Sequence, residues 1–308
     1  MKTLTLAHYY TTPDVQAMAD YVGDSLELAL IAQRENVDRI VFAGVKFMAE
    51  TTKILNTNAE IILPDEQSTC SLVTQTNMQA LTQWRDRYAD YEHVSYINSS
   101  AEHKTISDWI VTSRNVDDII ASLYAEGKKV IFSPDRNMGA YLNYQYAYNM
   151  PVWDAVCEVH DKFKDEQIQT IMEQAKIDAP VYLLAHPESP LPVLKRADVV
   201  GSTKQMLDWI QSFDEAQATI FVATEEGLLH NMRQLKPELN ILQAPIYSGC
   251  QCNACPYMKR NTVELVQRAQ QGKGFIIDYL DEQTMNKARV PIARMLTFSK
   301  NIMKQNAA

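Results

Sequence analysis

Glycine is scarce in this chain of 308 residues, with nine in all. Neither G-x-G-x-x-G nor G-x-x-x-x-G-K-[ST] occurs, which removes the commonest dinucleotide and triphosphate loops. No apolar run approaches the ~18 residues needed to cross a bilayer. The N-terminus Met1-Lys2-Thr3-Leu4 lacks the apolar core of a signal peptide, so a cytoplasmic protein is expected. Positive charge is in deficit: 29 Lys and Arg against 38 Asp and Glu give a net charge of -9. That balance argues against a nucleic-acid footprint or a polybasic membrane surface, though not against a local basic pocket. Five cysteines, an odd number in so long a chain, do not make a disulfide framework. In a reducing compartment such thiols are buried core residues, metal ligands or redox groups.

What is present is ordinary for a globular protein: 46% hydrophobic and 22% charged residues exclude disorder. Length alone suggests about two domains. Short apolar runs at Thr3 to Ala7, Arg39 to Ala43, Lys129 to Phe132, Val181 to Ala185 and Ala218 to Ala223 alternate with stretches of helical period. This pattern predicts an α/β fold with mostly parallel, doubly covered strands. Four landmarks then recur in the same order. A strand runs to His8, Asn98 and His186; a hydroxyl residue opens a helix at Ser25, Ser113 and Ser202-Thr203; a second strand ends in Phe42, Phe132 and Phe221; a cysteine follows at Cys70, Cys157 and Cys255. The hydroxyl intervals are 88 and 89 residues and the phenylalanine intervals 90 and 89. Units of this length are repeated small domains rather than solenoid turns. The expected division is 1–90, 91–178 and 179–272, with a tail at 273–308. In that tail Pro291-Ile292-Ala293-Arg294-Met295-Leu296 reads as a closing amphipathic helix.

Functional groups of parallel sheets lie beyond the carboxyl ends of the strands. If three such units face one another, their equivalent cysteines converge, and three thiolates at one point are a metal site. Thiolates select zinc, copper(I) or iron–sulfur clusters. Three cysteines on a cubane would leave one iron open, the mark of a catalytic site. Zinc and iron–sulfur both remain open on spacing alone. Within Cys250-x-Cys252-x-x-Cys255, the Cys255-Pro256 pair favours Cys255 as the ligand, leaving Cys250 and Cys252 as spare thiols. The serines read as helix caps, and a capped helix terminus also binds anions. His8, His160 and His186 sit on the landmarks and suit acid–base or anion-binding work. His93, His103 and His230 read as surface or structural, and Gly44 to Glu50 as helix core. Tyr10, Tyr96 and Glu188 can donate or accept protons at strand ends. A non-catalytic iron–sulfur or redox sensor and a zinc-dependent hydrolase using Glu188 as base remain as alternatives at this stage.

The segments His8-Tyr9-Tyr10, Gly23-Asp24-Ser25-Leu26, Gly44-Val45-Lys46-Phe47-Met48-Ala49-Glu50-Thr51, Tyr96-Ile97-Asn98-Ser99-Ser100-Ala101-Glu102, Val111-Thr112-Ser113, His186-Pro187-Glu188, Gly201-Ser202-Thr203 and Cys255-Pro256-Tyr257-Met258 resemble the quinolinate synthase family over nearly the whole chain. The resemblance implies three homologous three-layer αβα domains around a pseudo-threefold axis. It implies a [4Fe-4S] cluster held by Cys70, Cys157 and Cys255, whose open iron acts as a Lewis acid. The implied reaction condenses iminoaspartate with dihydroxyacetone phosphate to quinolinate, phosphate and water in NAD biosynthesis. The functional partner implied is an L-aspartate oxidase or aspartate dehydrogenase supplying iminoaspartate. Tyr10 and Glu188 match the family's proton-transfer residues. His8, Ser25, Tyr96, Asn98, Ser113, His160, His186, Ser202 and Thr203 match positions that bind carboxylates and phosphate or assist proton transfer. Two departures stand out. Ser189 occupies a place where many members carry cysteine. The spacing of Cys250 and Cys252 differs from the C-x-x-C-x-x-C of some members, so no regulatory disulfide between them is expected.

Overall fold

The computed structural model describes residues 2–175, 179–215, 217–246 and 253–306. Its central strands are short, largely apolar and buried on both faces. Arg39–Ala43, for example, has every residue after the first buried, the pattern of a strand covered by helices on either side. The first sheet holds β1 (Thr3–His8), β2 (Tyr21–Gly23), β3 (Arg39–Ala43) and β4 (Glu60–Leu63). The second holds β5 (Glu92–Tyr96), β6 (Trp109–Val111) and β7 (Val130–Ser133), and the third β8 (Val181–Ala185), β9 (Val199–Val200), β10 (Thr219–Ala223) and β11 (Asn240–Gln243). A last strand, β12 (Phe275–Ile276), returns to the first sheet.

The three sheets share one wiring. The first runs β12-β4-β3-β1-β2 and the third β11-β10-β8-β9, so that in each the first strand is flanked by the second and the third. The second sheet, β6-β5-β7, follows the same order. Where its fourth strand would lie, single parallel bridges join Phe132 to Val152 and Asp135 to Ala155. All pairings are parallel except β12 on β4, which sets Phe275 opposite Leu63 and Ile276 opposite Ile62. The fold is thus α/β with three groups of parallel strands and helices on their faces.

The end of the chain contributes more than the expected closing helix. Helix Val263–Gln270 buries Val266 and Ala269 against Ala7, Val41 and Ile62 of the first sheet. Helix Glu282–Asn306 buries Ala288, Ile292, Met295 and Leu296 and touches both the first and second sheet groups. Arg289 donates to the Ile54 carbonyl, Arg294 to the Asp108 carbonyl, and Ser299 receives the Asn115 amide. Among the described residues no helix is long and apolar enough to cross a membrane.

Candidate active site

The carboxyl ends of the three sheets open onto one cavity of about 710 Å³, open solvent at its mouth included. Of the residues singled out in the sequence, His8, Tyr10, Ser25, Cys70, Tyr96, Asn98, Ser113, Cys157, His160, His186, Glu188, Thr203 and Cys255 all line it. Ser202 does not. It is fully buried as the cap of helix Thr203–Ser212, in a reciprocal box with Gln205, while its neighbour Thr203 faces the cavity. Helix Ser25–Arg34 is capped the same way by Asp24 with Glu27, so Ser25 occupies the first helical position and not the cap. Ser113 caps nothing; Asn115 precedes helix Val116–Ala125. Two of the three hydroxyl landmarks therefore differ from the cap reading: the Asp24 carboxylate takes the cap beside Ser25, and Asn115, two residues past Ser113, holds the cap position without a side-chain bond to the helix.

Glu188 is the centre of the polar network. It is buried, and its Oε2 lies 3.0 Å from His160 Nδ1 and 3.1 Å from His186 Nδ1. Asn98 donates to Oε1 at 3.1 Å, and Asn137 donates to the Glu188 main-chain carbonyl at 3.0 Å. Burial by itself would raise the Glu188 carboxyl, but His160 and His186 outweigh it and hold the group below the usual carboxylate range. Burial lowers His186, against the pull of Glu188, and takes His8 down to about 3, with His186 adding to the effect. A neutral His186 donating to an ionised Glu188 fits these directions.

A line of hydrogen bonds leaves this centre. His160 Nε2 is 2.9 Å from the Thr224 hydroxyl, which is 2.7 Å from the Tyr10 hydroxyl. One tautomer satisfies every member: Tyr10 donates to Thr224, Thr224 donates to Nε2, and Nδ1–H points to Glu188. The phenols of Tyr10 and Tyr96 are pushed well up, first by burial and then by the Glu188 charge, so both are protonated donors near neutral pH. Residues from all three sheet groups thus meet in a relay that can move a proton across the cavity.

The thiols lie on the wall of the same cavity, and Cys70, Cys157 and Cys255 are all free. Burial raises each of them, Cys255 to about 12, and each feels the charge of other groups in the cavity. A thiol so placed is deprotonated by binding a soft cation rather than by solvent. The three thiol-bearing loops brace one another. Ser71 and Gln75, just past Cys70, hold the Val156 main chain; Ser71 also accepts the Glu158 N–H, and Asn253 donates to the Val159 carbonyl. Cys157, His160 and Glu188 present ligand atoms within 4.8 Å of one another, close enough to hold one metal ion, and His160 Nδ1 is 3.1 Å from the Cys157 sulfur. Cys250 and Cys252 lie outside the described residues.

Several lining residues carried no clear sequence signal. Val45, Phe47 and Met48, expected as helix core, are buried and yet form an apolar wall of the cavity. Asp24, Thr112 and Glu225 also face it, and burial takes Asp24 up to about 6. Thr224 and Glu225 follow β10 as Pro134 and Asp135 follow β7, so the strand-end position was the signal available for them. His93 and His103 are not on the surface. They lie fully buried within the second sheet group, sharing the Ser95 and Ser133 hydroxyls.

A parallel α/β fold whose strand ends gather free thiols, an imidazole-held carboxylate and protonated phenols on one cavity has the donor set of a metal-dependent enzyme. A family model described as quinolinate synthetase A protein matches residues 1–297, and the chain belongs to that family. It is 41% identical over 301 residues to a quinolinate synthase of Gloeothece citriformis, covering 97% of this chain and 91% of that one. It is 40% identical over 299 residues to one of Microcystis aeruginosa, with 97% and 92% covered. It is 39% identical over 302 residues to one of Chloroherpeton thalassium, with 97% and 91% covered.

Proposed function

We propose that the chain is a quinolinate synthase, condensing iminoaspartate with dihydroxyacetone phosphate to give quinolinate, phosphate and water in de novo NAD biosynthesis. The observation that carries this reading is the gathering of three free thiols, the Tyr10–Thr224–His160–Glu188 relay and two helix N-termini on one cavity. The donor set of three free, partly buried thiols suits a [4Fe-4S] cluster held by Cys70, Cys157 and Cys255. Such a cluster, when bound, supplies a Lewis acid at its open iron.

The chain's own residues divide the remaining work. Ser25 and Thr203, each the first residue of a helix, suit carboxylate or phosphate oxygens, with Ser113 lining the same cavity. Ser202 serves by holding the helix that presents Thr203. Glu188 is ionised and accepts a proton during the isomerisation and the dehydrations, and Tyr10 delivers or recovers one through Thr224 and His160. Tyr96, Asn98, His8 and His186 orient the substrates around them. The apolar wall of Val45, Phe47 and Met48 limits water, which would hydrolyse the imine substrate. The same reading takes 1–90, 91–178 and 179–272 as three homologous units. It places the enzyme in the cytoplasm, with an L-aspartate oxidase or aspartate dehydrogenase as the supplier of iminoaspartate.

The test is an anaerobic assay of the purified protein with both substrates, alongside iron, zinc and acid-labile sulfide analysis. Quinolinate formed by brown protein holding iron and sulfide supports the proposal. Protein with about one zinc and no sulfide, or no quinolinate from iron-loaded enzyme, overturns it.

A further inference from the structure

We propose that Glu225, paired with Lys259, is the outer carboxylate that orients Cys255 as a ligand and ties it to Tyr10. This rests on the reading of Cys70, Cys157 and Cys255 as metal ligands. Glu225 follows Thr224 at the end of β10, and its side chain is fully buried on the cavity wall. Its Oε1 accepts the Cys255 backbone N–H at 2.9 Å and the Lys259 ammonium at 2.8 Å. Its Oε2 accepts the Gly227 N–H at 2.6 Å. The Lys259 ammonium also donates to the Tyr10 carbonyl at 2.9 Å. One carboxylate therefore fixes the main chain of the third thiol, while its counter-ion fixes the main chain of the phenol at the head of the proton relay.

The surroundings are built for this contact. A Cβ on Gly227 would lie 2.7 Å from the Tyr9 carbonyl oxygen and 2.8 Å from Glu225 Oε2, so the main chain closes on Glu225 only because no side chain intervenes. A buried carboxylate paired with a partly exposed ammonium is a poor device for stability alone, since apolar residues of similar size serve as well. Its value here is directional: a charged acceptor fixes the Cys255 main chain against the N-terminal end of helix Gly227–Leu235. Ligand-orienting partners of this kind contribute about 10- to 100-fold to metal affinity or activity. The other two thiols are braced differently. Cys157 has His160 beside its sulfur, and Cys70 precedes the short helix Ser71–Thr74, whose serine holds the Cys157 loop.

The experiment compares anaerobically iron-loaded wild type with Glu225→Gln, Lys259→Met and Lys259→Arg. Glu50→Gln serves as control: that buried acid holds the Ala101 N–H and the Tyr279 hydroxyl and touches none of the three cysteines. The readouts are iron per chain, the rate of iron release to a chelator and the thermal midpoint of the metal-free protein. Glu225→Gln and Lys259→Met are expected to release iron about tenfold faster or more, and Lys259→Arg to restore slow release. Glu50→Gln is expected to lower the thermal midpoint without changing the release rate. A wild-type release rate in Glu225→Gln, or equal acceleration by Glu50→Gln, overturns the proposal while leaving the ligand reading intact. Wild-type protein that binds no iron overturns both.

Discussion

Replacing Thr224 with valine would keep the branched shape that fits the end of β10 and remove only the hydroxyl between Tyr10 and His160. The relay would then be cut at its middle, with Glu188, the thiols and the fold untouched. Steady-state kinetics should show kcat lowered about tenfold or more, with iron per chain unchanged. Unaltered kcat would mean that the proton reaches Tyr10 by another path. Thr224 also shows where sequence reading reaches its limit at this scale. Its position after a strand was visible, but its partners lie 214 and 64 residues away, and no local pattern encodes a contact of that span. The meeting of Cys70, Cys157 and Cys255 on one cavity was legible for the opposite reason: intervals of 87 and 98 residues, in step with the strand and hydroxyl landmarks, are a long-range regularity that survives in the linear chain.

At the scale of elements, strands and helices were read well because burial on both faces leaves continuous apolar runs, as in Val181–Ala185. Caps were read less well, since a hydroxyl, a carboxylate and an amide can each accept the first helical N–H and two of them often stand side by side. Asp24 beside Ser25 is such a pair. The second sheet carries a consequence for acid stability. Burial takes His93 down to about 4 and lowers His103 further below its ordinary value. Asp108 opposes the shift at His93 and Arg85 adds to it, while His93 and Lys104 add to the shift at His103. Both imidazoles are neutral in the folded chain and take up protons near pH 6.5 when unfolded. The unfolded state therefore binds more protons, and stability is complete above pH 6.5 and lost as the pH falls toward 4. The His93 shift alone corresponds to a loss on the order of 3 kcal/mol. Urea midpoints measured between pH 7 and pH 4 should fall steadily. His103→Gln should flatten that slope, and an unchanged slope would refute the assignment.

For the whole molecule, the division of labour among thiols gives the plainest expectation. Changing Cys70, Cys157 or Cys255 singly to alanine should abolish the brown chromophore and bound iron, whereas changing Cys250 or Cys252 should leave both. Metal analysis of the five variants decides it, and an essential Cys252 with a dispensable Cys255 would reverse the ligand choice. The tail offers a second test. Truncation after residue 274 removes β12 from the edge of β4 and uncovers the surface packed under Ala288, Ile292, Met295 and Leu296. Size-exclusion chromatography should show aggregated or misfolded material, and a monodisperse folded product would show that the tail is dispensable. The helix at 291–296 was legible from its amphipathic pattern. The return of Phe275–Ile276 to the first sheet was not, because a two-residue strand leaves no periodicity to read.

That return also fixes an order of events during synthesis. The first sheet is wired early, but its outer edge waits for Phe275 and one of its faces waits for Val266 and Ala269. Cys70 follows β4 and Cys255 precedes helix Val263–Gln270, so each thiol adjoins in sequence one partner of that late closure. On a ribosome, which releases the chain from its first residue to its last, the cavity is unfinished until nearly the whole polypeptide has emerged. Metal loading then belongs to the completed chain and not to its growth, and a stalled or prematurely ended chain would carry thiols with nothing yet assembled around them.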